Sequence, residues 1–142
     1  MALVAAVLGL AFGGAQAAPP TRTPERTPPP GEGVVCAWAI YAVVAEIGAR
    51  CFPGDAPEFQ AELNRSVGRI DAYVLKNSKM TPEDVARFKR DQGHVGYPKE
   101  LICQGDGLQL YQALKSGGAA RLRSATDAAV ARPGEPTWGT CL

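Results

Sequence analysis

Four cysteines constrain this chain more than any other feature: Cys36, Cys51, Cys103 and Cys141. An even set in a small chain with an export leader reads as a disulfide framework, because thiols pair and stay paired in oxidising compartments. Residues 2–15 supply that leader. They form an uncharged apolar run, and Ala15-Gln16-Ala17 follows with small residues at the positions a signal peptidase accepts. The expected cut falls after Ala17. The run gives way to Gly, Gln and Pro well short of the ~20 apolar residues a spanning helix needs, so no stable membrane span is expected after cleavage. No Lys or Arg precedes the run, which is the one element of a signal peptide that is missing.

Residues 18–33 hold Pro19, Pro20, Pro24, Pro28, Pro29 and Pro30, half of the 12 prolines in the chain. With Thr, Arg, Glu and Gly filling the rest, the stretch has nothing to bury and reads as an extended or disordered spacer. One domain is expected beyond it, residues 34–142. Its 15 basic and 14 acidic groups leave a net charge of +1. That balance lacks the excess of cations a nucleic acid or an anionic membrane surface requires. The Ala, Gly, Arg and Pro bias suggests a GC-rich bacterial gene.

The fold class expected is all-α: a small bundle of four to five helices stapled by two disulfides. Residues 34–50 form a central helix with Ala37, Trp38, Ile40, Tyr41, Val44 and Ile47 covering about half its circumference. Glu46 and Arg50 share the opposite stripe with Ala39 and Ala42, spaced for a weak surface pair. Asp55 is the expected cap of a second helix, with Pro57 in its first turn and Glu58 completing a capping box. Phe59, Leu63, Val67, Ile70, Tyr73 and Val74 line one face of it, with Glu62, Arg65, Arg69 and Lys76 outside or at the edge of that arc. Asn77-Ser78 ends it. Thr81-Pro82-Glu83-Asp84 opens a third helix that stops near Gln92-Gly93. Residues 93–102 read as a loop. A fourth helix starts at Asp106 or Gly107 and ends near Ser116-Gly117-Gly118, and a weak fifth covers residues 119–131. The tail is irregular, with Trp138 packing it down. No segment alternates as a strand would.

Helix geometry bears on the pairing. Cys36 and Cys51 at the two ends of one helix lie ~22 Å apart, whereas a disulfide needs Cα atoms within ~7 Å. An up-and-down trace then brings Cys103 to Cys51 and the tail to Cys36, selecting Cys51–Cys103 and Cys36–Cys141. Zinc is the rival use of these thiols, but zinc ligands usually come in pairs ~2–4 residues apart. No such pair exists here and His94 is the single histidine. No metal or other cofactor is expected.

The segment from Gly93 to Gly107 is the expected interaction surface, being the longest irregular stretch inside the domain and pinned by Cys103. It offers His94, Tyr97, Lys99 and Asp106. No catalytic motif of nucleophile, base and acid surrounds His94, so no catalytic set is assigned. The function expected is an exported, non-enzymatic binding protein of the bacterial periplasm or extracellular space, in an inhibitor, immunity or envelope-stress role. Its partner would be another exported or envelope protein. A structural or assembly factor of the cell envelope is the alternative, and a small enzyme using His94 the third reading.

Overall fold

A computed structural model describes residues 27–139. The leader, with its expected cut after Ala17, most of the proline-rich stretch and Cys141 lie outside the described residues. The regular elements among those described are all helices: α1 (Val34–Cys51), α2 (Pro57–Asn77), α3 (Pro82–Asp91), α4 (Lys99–Ile102) and α5 (Asp106–Val130). Long helices α1, α2 and α5 pack against one another in all three pairings; α3 lies on α1 and α2, and α4 on α1.

The apolar faces meet as their spacing requires. Ala37, Trp38, Tyr41, Val44 and Ile47 of α1 are buried against Phe59, Leu63, Ile70, Tyr73 and Val74 of α2 and Tyr111 and Leu122 of α5. Full burial of each large side chain stabilises the fold by about 2 kcal/mol. By length and composition α1 is apolar enough to cross a membrane, the one such helix among the described residues, and half of it is buried in the bundle.

Helix ends show where local signals won and lost. At α3 the reciprocal capping box forms: the Asp84 amide donates to Thr81 Oγ1 at 3.2 Å, and the Thr81 amide donates to Asp84 Oδ2 at 2.9 Å. At α2 the expected cap fails. Ala56, not Asp55, stands at the N-cap with left-handed backbone (φ 42°) and no side-chain cap bond. Pro57 has no N–H to offer, and the Asp55 carboxylate turns instead to α5. There it accepts from Tyr111 Oη at 3.1 Å and Lys115 Nζ at 2.8 Å.

The expected fourth and fifth helices run as one element, α5, broken at Gly118. Its φ of 74° and ψ of 168° are open to glycine and disfavoured for other residues. Residues 99–102, read as loop, carry the single turn α4.

The bridge Cys51–Cys103 is present, with Cα atoms 5.5 Å apart. It is the disulfide pairing seen among the described residues, and it rules out Cys36–Cys51. The other expected bridge involves Cys141. At the opposite end, the tail returns along the start of α1. Thr137 N donates to Gly31 O at 3.0 Å, and Val35 N donates to Thr137 O at 3.1 Å. Gly31 (φ 83°) permits this approach, since a Cβ there would collide with the Glu135 carbonyl. Trp138 meets Phe88 at a ring distance of 6.1 Å, yet stays half exposed.

Candidate functional site

The segment between α3 and α5 is strapped onto the C-terminal half of α1. It begins at buried Gly93, where a side chain would strike Ala42 Cβ and the Lys89 carbonyl. The alanine stripe of α1 thus admits the backbone of the segment. His94 follows with φ 55°, a left-handed conformation uncommon outside glycine. This turn brings its ring onto that of Tyr97, stacked at 4.9 Å and 22°.

Glu46 and Arg50 do more than pair with each other at 3.2 Å. The Glu46 carboxylate accepts from the Gly96 amide at 3.1 Å, and Arg50 donates to the Tyr97 carbonyl. A pair expected as an exposed helix contact therefore fixes the turn at residues 96–97. Beyond it, α4 buries Ile102 and reaches Cys103, whose disulfide ties the far end of the segment to Cys51.

Three apolar side chains are left outside this strap: Val95 at 38% exposure, Tyr97 at 40% and Leu101 at 61%. Of the four expected surface residues, His94 and Tyr97 are brought together. Lys99 and Asp106 are exposed at the starts of α4 and α5 and are not bonded to that pair. Among the described residues the His94 imidazole has its stacking contact with Tyr97 and no hydrogen bond to a carboxylate or hydroxyl. The arrangement can present a shaped apolar and aromatic surface.

Val95, Leu101 and the Glu46–Arg50 anchor were missed by sequence reasoning. The available signal was apolar residues among Gly, Pro and charges, at positions serving neither helical nor strand periodicity.

Two polar clusters hold the elements that carry the strap. Asp71 of α2 accepts from Trp38 Nε1 at 2.7 Å and Lys89 Nζ at 2.6 Å, joining α1, α2 and α3. Glu62, expected outside or at the edge of the apolar arc, is 1% exposed. The correction has a plain cause: α5 packs beside α2 and lays Arg123 over the carboxylate. Glu62 Oε2 accepts from Arg123 Nε at 3.0 Å and Nη2 at 2.8 Å, and also from Arg65. Hydrogen bonding from Arg123 holds the Glu62 carboxyl below the usual range, against the opposing effect of burial. One turn on, Thr126 Oγ1 donates to Ser66 Oγ at 2.9 Å or to Leu122 O at 2.9 Å, its single proton serving one at a time. Burial raises the pKa of the neighbouring Tyr41 phenol, opposed by a hydrogen bond with Thr126.

Compared with protein-family models, curated proteins and solved structures, the chain matches none.

Proposed function

We propose that this chain is an exported binding protein that recognises another exported or envelope protein through residues 93–106. One observation carries the reading: Val95, Tyr97 and Leu101 are held outward on a backbone fixed at both ends. Apolar side chains on a restrained segment cost less entropy to dock than the same groups on a free loop. Aromatic anchors of this kind dominate protein interfaces. The Cys51–Cys103 bridge supports an oxidising compartment, and so export.

The second staple, Cys36–Cys141, belongs to the same proposal. Thr137 is hydrogen-bonded at the start of α1, which brings the tail toward Cys36. Non-reducing peptide mapping of the exported protein reads this directly. Recovery of Cys141 as a free thiol overturns it.

The binding reading is tested by chemical cross-linking and affinity capture in the exported fraction. Wild type is compared with a Tyr97→Ala/Leu101→Asp variant whose thermal unfolding is unchanged. A partner captured stoichiometrically by wild type and lost from the variant is the expected result. Equal capture by both proteins moves the interface elsewhere and defeats the assignment.

A further inference from the structure

We propose that the cleft beside Trp138 is a docking groove for the chain's own proline-rich segment, residues 18–26. The cleft lies between the turn after α2, helix α3 and the C-terminal tail, and has a volume of about 840 Å³. Its lining is mainly apolar, with Val35, Trp38, Met80, Phe88, Pro136 and Trp138, and polar groups from the turn after α2 and the tail edge it. Three of these form an aromatic ladder. Phe88 stacks on Trp38 at 3.9 Å and 8°, and Trp138 continues the row at 6.1 Å, tilted by 43°. Trp138 is 51% exposed, so its indole has an open side.

Aromatic-lined grooves of this kind suit proline-rich segments. A polyproline II strand is already extended and loses little entropy on docking, and its pyrrolidine rings pack on aromatic faces. This chain carries such a segment, Ala-Pro-Pro-Thr-Arg-Thr-Pro-Glu-Arg at residues 18–26. The described residues begin at Thr27, and those next to it are fixed at this end of the molecule. Arg132 Nη2 donates to Pro28 O at 2.6 Å, and Gly31 is hydrogen-bonded to Thr137 in the tail that walls the cleft. Nine residues in polyproline II conformation span ~28 Å, so the tether allows the segment to lie along the cleft.

Charge favours this occupant as well. Of the two carboxylates bordering the cleft, Asp84 is already paired with Arg87 and the Thr81 cap, which leaves Glu135 to receive a cation, beside the Lys79 ammonium. The segment brings two guanidiniums, Arg22 and Arg26, and one carboxylate, Glu25. A short tether supplies an effective concentration on the order of millimolar, so a site of only millimolar intrinsic affinity is substantially filled.

The test is limited trypsinolysis of the exported full chain with its disulfides intact. Arg22 and Arg26 are each followed by Thr and are cleavable when free. Cleavage after Arg22 is expected to be about threefold slower in wild type than in Trp138→Ala, the ratio for a tethered site about two-thirds occupied. Pro20→Ala/Pro24→Ala, which leaves the folded domain untouched, is expected to lose the protection equally. Trp138→Phe keeps an aromatic face and is expected to retain it. Equal rates in wild type and the proline variant overturn the proposal. Protection that grows with protein concentration overturns it in favour of a second copy as donor.

Discussion

Helix α1 buries nine of its residues and α2 seven, whereas α3 buries Val85 alone and α4 Ile102 alone. The α1–α2–α5 core and the flank built from α3, α4 and the segment between them are thus held by different physics. The core is held by area removed from water, with Glu62 Oε2 and Ser66 Oγ bonded by groups from α5. The flank is held by point attachments: a disulfide, Asp71 between Trp38 and Lys89, and Glu46 and Arg50 on residues 96–97. Burial fixes a helix and covers its apolar face. Point attachments fix a backbone and leave its apolar side chains facing solvent. For that reason Val95, Tyr97 and Leu101 are available in the flank.

The contrast can be broken hardest at the bridge. Replacing Cys51 and Cys103 by Ser removes a cross-link across 52 residues, worth about 4 kcal/mol in the chain-entropy account. Urea unfolding should show that loss. Hydrogen exchange should show residues 93–103 opening ahead of α1, α2 and α5. Simultaneous loss of protection everywhere would mean that the flank and the core are one unit.

In the core, Leu63→Ala should cost about 3 kcal/mol, since Leu63 is fully buried between α1, α2 and α5. The same measurement should find the local opening of residues 93–103 unchanged, since none of their attachments involves Leu63.

Acid gives a smaller effect with a definite sign. The folded-state pKa of Glu62 lies below its unfolded value, ~4.3. Its contribution is therefore complete above that value and lost as pH falls through the folded pKa. The unfolding midpoint should drop as pH falls below ~4.3, and Glu62→Gln should flatten part of that slope. An unchanged slope in the variant would place the acid sensitivity at Asp55 or Asp84, whose carboxyls are also held low by Lys115 and by Thr81 respectively.

The smallest effect belongs to Leu101→Ala. At 61% exposure this side chain adds little to the fold, and the melt should shift by no more than about 0.5 kcal/mol. A larger loss would show that the flank has a hidden core of its own.

Much of the fold was legible because it rests on local signals. Periodicity located α1 and the apolar face of α2, Thr81-Pro82 marked the start of α3, and glycine at 117–118 marked the break in α5. Helix length removed Cys36–Cys51, and the trace of the helices selected Cys51–Cys103, which the fold contains. The misses share one cause. Asp55 satisfied its local pattern as a cap, yet Tyr111 and Lys115, 56 and 60 residues on, offered better partners. Glu62 looked peripheral on its own helix until α5 covered it. Glu46 and Arg50 looked like a solvated pair until the segment at 96–97 closed on them. Of the four residues in the expected interaction surface, the fold stacks His94 on Tyr97 and leaves Lys99 and Asp106 apart from them. Sequence reasoning left out Val95 and Leu101, whose exposure depends on where the strap holds the backbone.

The sequence by itself determined the helical class, the helix starts carried by Pro82 and the break at Gly118, and the exclusion of one cysteine pairing. These follow from dihedral limits, hydrogen-bond supply and rise per residue, all fixed within a few positions along the chain. Only the tertiary structure decided which polar groups are buried, which partners they take and which apolar side chains stay outside. Those outcomes depend on neighbours brought from about 50 to 60 residues away, where a carboxylate goes to the guanidinium or ammonium that packing delivers rather than to the nearest free amide.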